Sequence, residues 1–380
     1  MPSKILVGAV FAFGALSNAY AGTSAFDSSF GNNGKVLGTG YGIASQDTGR
    51  SVLRQSDGKL ILAGTTSTVA GGSDFLVMRL SADGQPDASF GTAGSTAIDF
   101  ANGNDFGYDA ALQADGKIMV VGSCTGAKTI LCAARLNTDG SLDPTFAAQG
   151  KFSHEFVDGD GTGTLVKVAV QSDGRLVAGG SRDVSTGPSQ GIVIRLNSNG
   201  AFDPTFASNG VYQSGVAGIA AVQAIALDSQ GRIVAGYTGS VNLSALRLTA
   251  AGALDLSFNG SGTASFDYGG SDTVYAVAVD ASDRVLIGGR SQICGWATKP
   301  CASPSTNRFD GTMARFNADG SMDSGFGVNG VTTTDVRDFD YIMEIEVAAT
   351  GDVYAAGRSH NPVGLESDYL TFVAKFDSAG

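Results

Sequence analysis

The sequence predicts an all-β fold: a six-bladed β-propeller of four-stranded antiparallel blades, closed by pairing of its N- and C-terminal strands. Three observations predict it. The first is composition. The 380 residues include 55 Gly but only 8 Pro, 43% are hydrophobic and 16% charged, and no heptad or long 3.6-residue apolar stripe runs through them. Such a chain buries a core, which excludes general disorder, and its patterning excludes a helical or coiled-coil protein. The second is a repeated string. SVLRQSDGKLILAG (51–64) recurs as AALQADGKIMVVG (110–122), VAVQSDGRLVAGG (168–180), AIALDSQGRIVAG (224–236), VAVDASDRVLIGG (277–289) and EVAATGDVYAAG (346–357). The third is a second string between these copies: MRLSADGQPDASFGTAG (78–94), ARLNTDGSLDPTFAAQG (134–150), IRLNSNGAFDPTFASNG (194–210), LRLTAAGALDLSFNGSG (246–262) and ARFNADGSMDSGFGVNG (314–330). Its sixth copy is divided between AKFDSAG at 374–380 and SAFDSSFGNNG at 24–34.

Each repeat of about 60 residues holds four strand-like runs with turn signals between them, which is the pattern of one propeller blade. In the first repeat Ser51 to Gln55 alternates and stops at Ser-Asp-Gly, a tight-turn signal. Lys59 to Gly64 is a β-rich apolar run, Asp74 to Leu80 ends at another Asp-Gly, and Gly94 to Phe100 follows the Asp-x-x-Phe-Gly turn. A lone blade leaves two apolar faces bare, so neighbours must cover each other. The divided sixth copy predicts that residues 24 to 40 supply the outer strand missing from the blade begun at Tyr341, so that both ends of the chain share one sheet and no edge stays open.

The repeated D-G-K-apolar-apolar-x-G, followed by R-L-N-x-D-G-x-x-D-x-x-F-G-x-x-G, resembles the delta-60 repeat of exported bacterial β-propeller proteins, a family without an assigned biochemical activity, over essentially the whole mature chain. It is also similar to the wider class of six-bladed propellers with NHL-like blades. That resemblance implies that the strand before the first Asp-Gly turn is innermost. Two copies depart from the pattern, with Asp283 in place of glycine and Gln230-Gly231 in place of Asp-Gly.

Charge and targeting narrow the function classes. With 24 Lys+Arg against 36 Asp+Glu, the net charge is −12, which argues against a nucleic-acid binder. Residues 1–21 have Lys4, an apolar stretch from Ile5 to Leu16, and Ala19-Tyr20-Ala21, the pattern of a cleaved secretory signal. The stretch falls short of the roughly 20 residues that span a bilayer. The expected organisation is therefore a signal peptide at 1–21 and a single propeller at 22–380, secreted, periplasmic or cell-surface associated, with no membrane span and a monomeric state. Export agrees with cysteine usage: Cys124 with Cys132, and Cys294 with Cys301, are sequence neighbours in Gly-containing stretches that suit two local disulfides pinning loops. Metal ligation by these cysteines lacks the additional His or Cys it would need.

Strand order separates the two faces of the ring. The repeat-invariant residues, Asp57-Gly58, Asp83-Gly84, Asp87, Phe90 and their copies, fall on one face. There Arg79, Arg135, Arg195, Arg247, Arg315 and Lys375 are expected to pair with turn carboxylates or carbonyls, and Phe30, Phe90, Phe146, Phe206, Phe258 and Phe326 to plug the space between blades. The opposite face carries the loops between second and third strands (65–73, 123–132, 181–191, 237–243, 290–310 and 358–368), which vary most. Binding residues concentrate on such loops, so the candidate ligand-binding residues are Trp296, Arg290, Tyr237, Arg358 and His360. Trp296, the single tryptophan, lies inside the Cys294–Cys301 loop, where an aromatic side chain offers large contact area at low entropy cost.

The crossings between blades are rich in aspartate. Asp105, Asp160, Asp272 and Asp340 are candidate ligands for a hard cation such as Ca²⁺ near the axis, which wants several oxygens. Catalytic motifs fail: Gly187-Pro188-Ser189-Gln190-Gly191 sits in a loop rather than the strand-to-helix turn that a nucleophile elbow needs, and His154-Glu155 lacks a second zinc histidine. The expected function is a binding or scaffold module contacting protein or carbohydrate at the cell surface, with no catalysis and no cofactor. The alternative is a Ca²⁺-dependent hydrolase or lyase with an axial metal.

Overall fold

Strand spacing and turn chemistry are realised throughout. In a computed structural model the described residues are 29–32, 35–36, 47–67, 72–100, 103–126, 128–156, 162–184, 187–215, 218–238, 242–268, 270–292, 308–337, 339–360 and 369–380. All their regular structure is β, in 23 strands. The chain divides into two compact units at His154/Glu155. The signal-peptide residues 1–21 lie outside the described residues.

In the first unit β1 (Asp47–Arg54), β2 (Leu60–Ser67), β3 (Ser73–Leu80) and β4 (Ser95–Ile98) form one antiparallel blade. A second follows in β5 (Asn104–Leu112), β6 (Ile118–Thr125), β7 (Thr129–Leu136) and β8 (Lys151–His154). A single parallel bridge, Ser73 to Asn104, joins them. Facing side chains from both blades, including Phe75, Val77, Phe90, Ile118 and Val120, fill one core.

The second unit contains β9 (Gly163–Val170), β10 (Leu176–Arg182), β11 (Gln190–Leu196) and β12 (Val211–Gln213), then β13 (Ala221–Leu227), β14 (Ile233–Thr238), β15 (Leu243–Leu248) and β16 (Thr263–Phe266). After them come β17 (Asp272–Val279), β18 (Val285–Gln292), β19 (Phe309–Phe316) and β20 (Val331–Thr334), and finally β21 (Phe339–Val347), β22 (Val353–His360) and β23 (Tyr369–Phe376). Cores lie between successive blades here too. The ion pair from Lys167 Nζ on β9 to Glu344 Oε2 on β21, at 2.7 Å, brings the first strands of the third and sixth copies together. The first strands therefore face a common interior within this unit.

A bulge interrupts every pairing of first and second strands, at Gly49/Ser51, Gly107/Asp109, Val222/Ala224, Val274/Ala276 and Ile342/Glu344, and opposite Gly179/Gly180. It explains the glycine that closes five of the D-G-K strings, Gly64, Gly122, Gly180, Gly289 and Gly357, while in the fourth copy Tyr237 takes that position. At Gly289 and Gly357 an added Cβ would fall on the carbonyl oxygens of Thr273 and Tyr341. The bulged residue is unpaired and its side chain re-aimed.

The charged residues of the repeat are scaffold. Arg79, Arg135, Arg195, Arg247 and Arg315 direct Nε at Asp87, Asp143, Asp203, Asp255 and Asp323 at 2.7–2.8 Å. Each guanidinium also lies over the ring of Phe90, Phe146, Phe206, Phe258 or Phe326, 4.3–4.8 Å from its centroid. All five rings are fully buried. Nη1 of Arg79, Arg195, Arg247 and Arg315 reaches a backbone carbonyl of the following copy, at Thr138, Ala250, Ala318 and Ser378. The residues after Phe30, Phe90, Phe206, Phe258 and Phe326 hand on a backbone bond in the same direction, from Gly31 to Asp83, Gly91 to Asp139, Ala207 to Ala251, Asn259 to Asp319 and Gly327 to Ala379. Asp283 sits at φ +59°, the left-handed conformation that aspartate tolerates, and its carboxylate accepts bonds from the N–H and hydroxyl of Ser229 at 2.8 and 2.7 Å.

The strands run further than their sequence signals, so the loops are shorter than expected. Cys124 and Cys132 lie in adjacent strands β6 and β7, not in a loop, and are joined by a disulfide with Cα atoms 5.9 Å apart. Both are buried in the core, so the bond staples two strands. Cys294 and Cys301 lie outside the described residues.

Candidate functional site

Repeat-equivalent positions differ most where β17, β18, β19, β21 and β22 end on the side of the second-to-third strand loops. Arg290 and Arg358 each follow the glycine that pairs beside the bulge of the first strand, where the other copies have Thr65, Ser123, Ser181 and Thr238. Register places Arg358 opposite Tyr341 and His360 opposite Phe339. The parallel bridge between Phe309 and Phe339 brings the fifth copy's third strand alongside.

The result is a layered cluster of cations and rings. The Tyr341 ring has the Arg358 guanidinium 4.7 Å from its centroid and that of Arg290 5.2 Å away. Arg290 Nη1 donates to the Tyr341 hydroxyl at 3.2 Å, and its guanidinium also covers Phe309 at 4.4 Å. His360 stacks on Phe339 and Tyr341, with centroids 4.8 and 5.8 Å apart. Tyr275, the bulged residue of β17, approaches Tyr341 at 6.2 Å. Arg290 Nε has no hydrogen-bond partner among the described residues.

Burial and neighbouring charges shift two titratable groups of the cluster. Burial lowers the His360 pKa, the Arg358 charge lowers it further, and Asp340 opposes both. The imidazole is therefore neutral at neutral pH, and the positive charge is carried by the two guanidiniums. Burial raises the Tyr275 hydroxyl pKa. Guanidiniums held against rings present planar donors suited to carboxylate or sulfate groups.

Of the residues expected to bind a ligand, Arg290, Arg358 and His360 come together. Tyr237 does not join them: it is 7% exposed, packed in the core with Ile219, Val222 and Leu246, and burial raises its pKa. It stands where the other copies have Gly64, Gly122, Gly180, Gly289 and Gly357, one residue before the position of Arg290 and Arg358, and its side chain packs into the space between blades. Trp296 lies outside the described residues. Tyr341, Phe339, Phe309 and Tyr275 were missed because each resembles ordinary strand filling; their signal is that equivalent positions hold Phe106, Asn104, Ser73 and Tyr108, a less aromatic set.

The acids also sort by neighbourhood. Asp105 lies with Asp74 and Asp99, and Asp340 with Asp310 and Asp335. Asp272 accepts a bond from the Tyr268 N–H at 3.0 Å and belongs to neither group, and Asp160 lies outside the described residues. In the interior of the second unit the Lys167 ammonium stands against Glu344.

Comparison with a family model agrees on fold type. Residues 55–90, 113–146, 171–206 and 305–326 match the family described as domain of unknown function (DUF5122) beta-propeller. No curated protein matches the chain. Similar solved structures include a protein of unknown function from Bacteroides caccae, 11% identical with a TM-score of 0.45, covering 86% of this chain and 92% of that one. Virginiamycin B lyase from Staphylococcus aureus is 12% identical, with a TM-score of 0.42 and 88% of each chain covered. Regucalcin, a calcium-binding protein from Agrobacterium tumefaciens, is 11% identical, with a TM-score of 0.37 over 84% of this chain and 83% of that one. Among the described residues no helix is long and apolar enough to cross a membrane. The chain is thus an all-β protein built of propeller repeats.

Proposed function

We propose that this chain is an exported six-bladed propeller that serves as a binding module, contacting an acidic glycan or protein at the cell surface through its variable-loop face, without catalysis. The observation that carries the reading is the pair of guanidiniums at Arg290 and Arg358 over the Tyr341 ring, whereas Arg79, Arg135, Arg195, Arg247 and Arg315 are committed to Asp–Phe corners. Rings beside cations supply apolar area for a sugar face or side chain, and the guanidiniums supply charge-assisted hydrogen bonds. In this reading six copies close the ring, with residues 24–40 as the fourth strand beside β23. Support comes from β23 itself: among the described residues it pairs with β22 alone, and its Leu370 and Val373 are 39% and 63% exposed. The hydrolase or lyase alternative requires an axial cation, whereas the carboxylate of Glu344 on the first strand of the sixth copy is already paired with the Lys167 ammonium.

Arrays of uronate-containing and sulfated glycans and of surface proteins test the reading. Arg290→Ala with Arg358→Ala should abolish binding and leave the thermal transition of the protein in place. Turnover of a bound polysaccharide, or binding that survives the double substitution, would reverse the ranking.

A further inference from the structure

The crossing from the first blade to the second gathers three carboxylates that the corner network does not use. Asp74 stands near the start of β3, Asp99 just after β4 and Asp105 near the start of β5. One oxygen of each lies within 4.8 Å of an oxygen on both others. Oxygens bound to one Ca²⁺, at about 2.3–2.6 Å from it, stand no more than roughly 5 Å apart.

Asp105 adds an independent observation. It is fully buried, its Oδ2 accepts the Phe100 N–H at 2.6 Å, and its Oδ1 has no hydrogen-bond partner. A buried carboxylate oxygen left without a partner is costly and calls for a cation or donor. Burial raises the pKa of Asp105, opposed by the Phe100 bond. Burial also raises Asp74, and repulsion from Asp99 adds to it. The compensating charge is Lys151, whose Nζ donates to the Asp99 backbone carbonyl and lowers the Asp74 pKa.

The same positions recur later in the chain as Asp310, Asp335 and Asp340, which also form a close group. There the chain supplies its own neutralisation. Arg308, at the position of Gly72 in the first copy, lies 3.6 Å from Asp335. Asp340 accepts the N–H groups of Val336 and Arg337, at 2.6 and 3.2 Å.

We propose that Asp74, Asp99 and Asp105 bind one Ca²⁺ at the first inter-blade crossing, and that the Asp310 group does not. The proposal does not depend on the ligand-binding role of the Arg290 cluster. Titration of CaCl₂ into the chelator-treated full chain, followed by calorimetry, should show one saturable site. Asp99→Asn, a change at an exposed side chain, and Asp74→Asn should each weaken it about tenfold or more, with circular dichroism confirming the fold. Lys151→Gln should tighten binding, and Asp335→Asn should leave it unchanged. Absence of saturable Ca²⁺ uptake, uptake that survives both Asp99→Asn and Asp74→Asn, loss on Asp335→Asn, or tighter binding of Mg²⁺ than of Ca²⁺ would each overturn the proposal.

Discussion

Asp203 shows how one carboxylate is shared by a whole corner. Burial alone would raise its pKa, but bonds from the Thr205 hydroxyl and N–H, the Arg175 guanidinium and the charge of Arg195 outweigh burial and hold it at about 2. A pKa held below the unfolded value means that the stabilisation is present above about pH 4 and is lost as pH falls through about 2. Urea unfolding at pH 7, 4 and 2.5 should show that loss, and Asp203→Asn should be less stable at pH 7 with a flatter acid dependence. Arg195→Ala leaves a buried carboxylate with reduced compensation and uncovers Phe206, so its cost should be about 3–5 kcal/mol by the same assay. The repeat made these arginines legible as scaffold, because an identical charge in copy after copy cannot mark a single site. Tyr237 was not legible. It lies within the variable loop expected between the second and third strands, and only register and packing reveal that it takes the glycine position one residue before that of Arg290 and Arg358 and turns into the core.

At the level of strands, the turn dipeptides located each hairpin to within a few residues, while strand ends were underestimated. The reason is physical: backbone pairing continues into polar residues such as Thr65–Ser67 and Arg358–His360, which carry no apolar alternation to announce it. The bulge was equally silent, since its only trace is the glycine opposite. The cysteine pairing was recognised but its setting was not, because closeness in sequence does not distinguish a loop tie from a cross-strand staple. Replacing Cys124 and Cys132 together by alanine should cost about 2–3 kcal/mol, given the short loop enclosed, as judged by denaturation with and without reductant. Gly252, at φ +82°, should resist substitution more sharply than an exposed turn glycine. A Cβ there comes within 2.7 Å of the Phe206 ring, so Gly252→Ala should lose about 2–4 kcal/mol from backbone strain and overpacking together.

For the molecule as a whole, the all-β repeat architecture was legible because six copies average out local ambiguity, whereas the candidate site was legible only in part. Arg290, Arg358 and His360 stood out as departures from the repeat. Tyr341, Phe339 and Phe309 became visible only through register, which brings distant residues such as Arg290 and Tyr341, or Phe309 and Phe339, onto one surface. If the ring closes as proposed, deleting residues 22–40 should lower the unfolding transition of β21–β23 as well, readable as faster hydrogen exchange at Tyr354 to Ala356. Unchanged exchange there would argue for an open array. The plug-and-socket corners carry a further implication for how such chains change length. Phe30, Phe90, Phe206, Phe258 and Phe326 seat against the glycine turn of the copy that follows, at Gly84, Gly140, Gly252, Gly320 and Gly380. Each of these modules therefore carries the half of the joint that its successor completes. Gain or loss of one module rejoins matching halves, and descendants with different numbers of copies inherit working seams without any new interface having to evolve.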